Sequence, residues 1–143
     1  MVPAHVLVPL DGSPLADEAL QHALAVYDCP STVLNVVTPV DASMSEGGIL
    51  ELSDQRQQAA HERADRLLDR ARDHADATDR TIETVVERGE PVDVISEYVQ
   101  TTTVDHVVMG GHGGKRGGLA QRLLGTVASA VVDEVPTSVT VVR

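Results

Sequence analysis

Apolar residues along this chain follow two alternating patterns: short continuous runs, and longer segments in which they recur every three or four positions. Continuous apolar runs are typical of strands buried on both faces of a parallel sheet, and the longer spacing is typical of amphipathic helices. The predicted strands cover residues 4–10, 32–37, 81–86, 104–109 and 138–142. Strands and helices therefore alternate from one end of the sequence to the other.

The segments between the strands carry signals for helices. Ser13 followed by Pro14 predicts an N-cap and a first helical residue, because the serine hydroxyl accepts a backbone N–H and proline needs no intrahelical partner there. Further helices are predicted from about residue 49 to 75, from near Pro91 and from about residue 126 to 133, with a loop over residues 38–48. The alternation predicts one α/β domain over residues 1–143, with an open five-stranded parallel sheet and helices on both faces.

Size and composition agree with one folded domain. The chain has 143 residues, of which 42% are hydrophobic, enough for a sizeable core. No apolar run has the length of a membrane span or the form of a signal peptide. The single cysteine, Cys29, excludes an internal disulfide and fits a reducing compartment. We therefore expect a cytoplasmic protein with no membrane partner.

The charge balance is strongly acidic. Asp and Glu number 22 against 11 Lys and Arg, which gives a net charge of −11, and Lys115 is the only lysine. This composition is typical of a protein working in very high salt, where the Debye length falls to about 3 Å at 1 M and self-repulsion is screened. An ordinary acidic surface that maintains solubility is the alternative. Since no basic stripe is present, nucleic acid is not an expected partner.

A glycine-rich segment follows the fourth predicted strand. It reads Gly110-Gly111-His112-Gly113-Gly114-Lys115-Arg116-Gly117-Gly118, and Gly125-Thr126 opens the next predicted helix. Glycine lets the backbone approach a ligand, and a helix N-terminus attracts anions, so the combination suits phosphate. The segment is not a Walker A loop, because no Ser or Thr follows the lysine. If the first strand is central and the fourth lies beside it, the segment meets Pro9-Leu10-Asp11 at the carboxyl edge of the sheet, where such sheets bind ligands.

Several segments in order resemble the universal stress protein family, in its ATP-binding subclass. They cover residues 8–13, 34–37, 89–91, 107–113, 123–128 and 135–139, so the resemblance extends over essentially the whole chain. The subclass motif is Gly-x2-Gly-x9-Gly-Ser/Thr. Gly110 and Gly113 match its first half, while Gly125 and Thr126 follow after eleven residues rather than nine. The resemblance implies a Rossmann-like sheet with strand order 3-2-1-4-5 and one nucleotide-binding domain.

The same resemblance implies a set of nucleotide-binding residues. Pro9 and Leu10 would line the crevice, with Asp11 near the adenosine or a metal, and Val36 and Met109 would contact the base or ribose. The ribose and phosphates would lie along Gly110, Gly111, His112 and Gly113. The terminal phosphates would be held by Gly125, Thr126 and Val127. We add Lys115 and Arg116 as cations that reach phosphate. Several have an alternative: Asp11 as a turn-former, Val36 and Met109 as core residues, and the two cations as solvent-facing side chains. For residues 110–118 the alternative is a mobile loop with no ligand.

No catalytic constellation and no metal-ligand spacing of histidines is apparent in the sequence. The first hypothesis is therefore a stress-response or signalling protein in which bound ATP biases conformation or the choice of partner. Slow ATP hydrolysis at the same site, with Mg²⁺ and Asp11, is the second. A dimeric interaction module without nucleotide is the third.

The last predicted strand favours a homodimer. Residues 138–142 are rich in β-branched side chains and uncharged, and no later strand is available to cover them. Such an edge invites antiparallel pairing with a second copy of the chain. The family resemblance implies the same C-terminal dimer.

The acidic composition generates a prediction on stability. If the net charge of −11 needs screening, the thermal unfolding midpoint rises by many degrees between dilute buffer and molar KCl. Differential scanning calorimetry over a KCl series measures this directly. A midpoint that does not respond to salt would leave the acidic surface with a role in solubility alone.

Overall fold

The computed structural model describes residues 2–38, 50–111 and 124–143. Five parallel strands form one sheet in the order β3-β2-β1-β4-β5, which confirms the predicted fold class and strand order. The strands are β1 (Val6–Pro9), β2 (Ser31–Val37), β3 (Ile82–Arg88), β4 (His106–Gly110) and β5 (Ser138–Val142). β1 lies at the centre, between β2 and β4.

Four helices connect the strands in the described part of the chain: α1 (Pro14–Val26), α2 (Leu50–Ala77), α3 (Pro91–Thr101) and α4 (Thr126–Glu134). The predicted cap of α1 is confirmed, because the Ser13 hydroxyl accepts the Ala16 N–H at 3.2 Å and Pro14 is the first helical residue. α2 ends two residues beyond the predicted end. Its C-terminus is closed by the Arg80 N–H, which donates to the Ala75 carbonyl at 2.8 Å. The predicted loop lies almost wholly in residues 39–49, outside the described residues.

Two hydrophobic cores lie on opposite faces of the sheet. Successive strand residues point to opposite faces, so Val6 and Val8 of β1 pack with α1 and α2, while Leu7 packs with α3 and α4. All three side chains are fully buried. The continuous apolar runs of the sequence therefore mark strands covered by helices on both sides.

The strands β1 and β4 end at different residues from those predicted. The first strand was predicted to include Leu10, but β1 stops at Pro9, the last residue in register with β2. The carbonyl of Leu10 is bonded to the side chain of Asn35 rather than to the β2 backbone. In the opposite direction, β4 extends to Gly110, the first residue of the predicted glycine-rich segment.

Polar side chains close the amino edge of the sheet. The Asp105 carboxylate accepts the N–H groups of Ala4 and His5, and these bonds lower its pKa. His106 Nε2 lies 2.8 Å from the Thr140 hydroxyl and 3.3 Å from the Tyr27 hydroxyl, and burial lowers its pKa. These groups lie at the end of the sheet away from the predicted ligand site. Asp105 holds the residues before β1, and His106 connects the end of α1 to β5.

No described helix is long and apolar enough to cross a membrane.

Candidate functional site

A cavity of about 390 Å³ opens at the carboxyl edge of the sheet. It lies where β1, β2 and β4 end and where α1, α3 and α4 begin. Nine of the twelve predicted binding residues line it: Pro9, Leu10, Asp11, Val36, Met109, Gly110, Gly125, Thr126 and Val127. His112 and Gly113, with the two added cations Lys115 and Arg116, lie outside the described residues. The folded chain thus brings together residues from four separate parts of the sequence.

The end of β1 is held in place by β2 and by its own turn. The Leu10 N–H donates to the Leu34 carbonyl at 2.8 Å, and the Leu10 carbonyl accepts Asn35 Nδ2 at the same distance. Asp11 Oδ1 then accepts the Ser13 N–H at 2.9 Å, a side-chain turn that leads into α1. Asp11 therefore has the turn-forming role proposed as its alternative, and its exposed carboxylate also lines the cavity.

Gly110 allows α1 to start directly against the end of β4. A Cβ at this position would lie 2.9 Å from the backbone nitrogen of Ala16 and 2.9 Å from the backbone carbon of Leu15. Contacts this short are not tolerated, so a side chain here would push α1 away from the sheet. Gly110 is a packing requirement as well as a residue of the cavity wall.

Gly111 lies behind the cavity wall and is not among the lining residues. Its N–H donates to the Val142 carbonyl at 2.7 Å, and its carbonyl accepts the N–H of Gly125. A Cβ at Gly111 would lie 3.2 Å from the Val142 oxygen. Both of its backbone groups join the end of β5 to the start of α4.

The start of α4 presents backbone donors to the cavity. Gly125 is the N-cap residue, and no side chain caps the helix. The N–H groups of the first helical turn have no intrahelical acceptor, and Thr126, Val127 and Ala128 all line the cavity. Asp11 is the charged residue among the described lining residues. The positive end of α4 therefore lies in the same cavity as one carboxylate.

The cavity also has an apolar wall. Leu34 and Val36 of β2, Ile95 of α3 and Met109 of β4 contribute its walls. Leu34, Ile95 and Met109 are buried and belong to the α3/α4 core, while Val36 is half-buried. This combination of a hydrophobic slot with a few polar groups is typical of sites for small ligands.

One main-chain donor in the apolar part was not anticipated from the sequence. The Leu34 carbonyl faces β1, and backbone groups two residues apart along a strand point the same way. The Val36 N–H therefore also faces the β1 side, but β1 has already ended and no described residue accepts it. Asn35 was missed as well, although a lone amide within the apolar run Leu34–Val37 was a visible signal.

Comparison with solved structures places the fold among known proteins. A universal stress protein from Lactobacillus plantarum superposes with a TM-score of 0.84 at 24% identity, covering 100% of this chain and 99% of that one. A universal stress protein in complex with cAMP gives 0.70 at 27% identity, covering 100% and 99%. An Arabidopsis thaliana member with AMP bound gives 0.68 at 19% identity, covering 98% and 91%. The comparison with curated protein sequences found no significant match.

The family model described as "Universal stress protein family" matches residues 4–143, which include all five strands and every described residue of the cavity wall. The chain belongs to the universal stress protein family.

Proposed function

We propose that the cavity binds an adenine nucleotide, with ATP as the physiological ligand, and that its occupancy biases the conformation of the protein or its choice of partner in a stress response. The observation that carries the proposal is the composition of the cavity, whose wall combines an apolar slot with a helix N-terminus. The cAMP and AMP complexes of two similar proteins support an adenine nucleotide in particular.

The base occupies the apolar slot. Leu34, Ile95 and Met109 supply hydrophobic contact for a flat ring. The Val36 N–H, which no described residue accepts, donates to an acceptor nitrogen on the edge of adenine. Base recognition at this position thus uses a backbone group, with the Val36 side chain packing beside the ring.

The ribose lies near Asp11. One carboxylate oxygen, Oδ1, is bonded to the Ser13 N–H. The other, Oδ2, has no hydrogen bond to a described residue and accepts a ribose hydroxyl. A charge-assisted bond of this type is stronger than a neutral one.

The phosphates lie at the start of α4. The helix carries roughly half a positive elementary charge at this end, and its free N–H groups point along the axis toward the ligand. Gly125, Thr126 and Val127 surround this part of the cavity. Backbone N–H groups are therefore the donors to the phosphates in this part of the cavity, where no described lysine or arginine lies.

A side chain at Gly125 tests the phosphate end. Gly125 has φ −66°, so a Gly125→Val variant adopts the same backbone without strain, and its side chain fills the space before α4. We expect ATP binding to fall below detection in isothermal titration calorimetry in molar KCl, while adenosine still binds. Val132→Thr, at an exposed position on the same helix, is the matched control.

Two results would contradict these assignments. Absence of ATP binding by the unsubstituted protein in molar KCl would reject the proposed function. Normal ATP affinity in a folded Gly125→Val variant would reject the phosphate position.

Asp11 can be tested with two substitutions that separate its two roles. Asp11→Asn keeps an oxygen for the Ser13 N–H and removes the charge, so the thermal midpoint changes little and adenosine affinity falls about tenfold. Asp11→Ala removes both roles, and lowers the midpoint as well as the affinity. Calorimetric titration and thermal unfolding of both variants give the two readouts. Equal adenosine affinity in Asp11→Asn and the unsubstituted protein would leave Asp11 only its turn-forming role.

We further propose that two copies of the chain pair through β5. This strand is at the edge of the sheet, and its last four residues are half-buried. The Val142 carbonyl is bonded to Gly111 on the β4 side, so the alternating backbone groups of Val139 and Val141 face outward. A second β5 related by a two-fold axis offers the matching donors and acceptors.

A proline at Val141 tests this pairing. Val141→Pro removes an N–H that the sheet of one chain does not use, which an edge strand tolerates. We expect the variant to be monomeric by light scattering at micromolar concentration in high salt, with its circular dichroism unchanged. Val141→Thr keeps both the N–H and the branched shape, and remains dimeric. A dimer that survives Val141→Pro would show that another surface holds the copies together.

A further inference from the structure

The hydrogen bond between Asn35 and Leu10 replaces one backbone hydrogen bond of a regular parallel pairing between the β1 end and β2. In a regular parallel pair, a residue that donates its N–H to one strand neighbour accepts the N–H located two positions further along that neighbour. Leu10 donates to the Leu34 carbonyl, so its own carbonyl would accept the N–H of Val36. It instead accepts Asn35 Nδ2 at 2.8 Å, and the β1–β2 register ends at Pro9 and Leu34.

The replacement leaves the Val36 N–H open at the cavity. Had the Leu10 carbonyl taken this N–H, the main chain of β2 would be satisfied internally as far as Val36. Because Asn35 takes the carbonyl, the donor has no acceptor among the described residues and lies where Val36 lines the cavity. Val36 is half-buried at the cavity wall, so this donor lies where a ligand can accept it.

Asn35 acts from the other side of the sheet. Val33 packs in the α1/α2 core and Leu34 in the α3/α4 core, so the side chain of Asn35 projects to the α1/α2 side. It is 7% exposed and does not line the cavity. Its amide therefore contacts the Leu10 carbonyl and not a ligand.

We propose that Asn35 is a positioning residue that determines base specificity: its amide holds the Leu10 carbonyl away from Val36, and the Val36 N–H is thereby reserved for an acceptor nitrogen of adenine. This inference rests on the proposed function for its ligand. Without Asn35, the Val36 N–H donates to the Leu10 carbonyl. A base must then break that hydrogen bond before it can bind. Adenine presents an unprotonated N1 to a donor, whereas inosine carries a hydrogen at N1, so the open N–H discriminates between them.

The first test needs no ligand. Native-state hydrogen exchange measured by NMR reports whether an amide is bonded. In the unsubstituted protein we expect the Val36 amide to exchange at least tenfold faster than the Leu34 amide. In Asn35→Leu, which keeps the volume and removes the donor, and in Asn35→Ala, the Val36 amide becomes at least tenfold more protected because it bonds to Leu10. Ser31→Ala is the control, since Ser31 is on the same strand and face and its hydroxyl is unpaired among the described residues.

The second test measures specificity by titration with adenosine and inosine. We expect Asn35→Leu to reduce the preference for adenosine over inosine by about tenfold, and Ser31→Ala to leave it unchanged. A purely structural role would weaken both nucleosides equally, and that result would overturn the inference.

The two tests separate the inference from the proposed function. If the unsubstituted protein binds no adenosine, the proposed function fails while the exchange experiment still decides the role of Asn35. If the variants do not fold, the unsubstituted protein decides it, because a Val36 amide as protected as that of Leu34 excludes an open donor. Unchanged Val36 exchange in folded variants would also overturn the inference.

Discussion

The close approach of α1 to the end of β4 is the constraint on which the rest of the site depends. The Leu15–Ala16 backbone lies directly over Gly110, at a distance that admits no side chain. This contact fixes the start of α1, and with it the turn through Asp11 that precedes the helix. β1 and β4 themselves pair over Val6–Leu7 and His106–Val107. The cavity opens beyond this pairing, between the start of α1 and the carboxyl ends of the strands.

The cavity at the carboxyl edge of the sheet contains both a positive and a negative group. The start of α4 contributes unpaired N–H donors and the positive end of its dipole, while Asp11 contributes a negative charge. A nucleotide matches this arrangement because its sugar carries hydroxyl donors and its phosphates carry negative charge. Asp11 is held by the Ser13 N–H through one oxygen, so its second oxygen has a fixed direction before any ligand arrives. Such preorganisation lowers the entropy that binding must overcome.

The sequence was informative where the signal is local. Buried runs such as residues 6–8, the Ser13-Pro14 helix start and the Gly125-Thr126 helix start are properties of neighbouring residues, and the structure has them where they were predicted. Roles that depend on a partner distant in the chain were not accessible. The carbonyl that accepts from Asn35 belongs to Leu10, 25 residues earlier, and the one that accepts from Gly111 comes from the last strand. The backbone bonds by which Gly111 joins β5 to α4 were therefore not predicted.

The proposed recognition of the base through the Val36 main chain would have a consequence for how such a site diverges. A backbone N–H is present whatever side chain residue 36 carries, so substitutions there change the fit around the base and leave the donor in place. Selection on base preference then acts on the neighbouring position, whose side chain decides whether the donor is open. Homologous chains could therefore differ widely in the sequence of this strand and still bind the same edge of the base. An alignment scored only on side chains that line the cavity would overlook the position of Asn35.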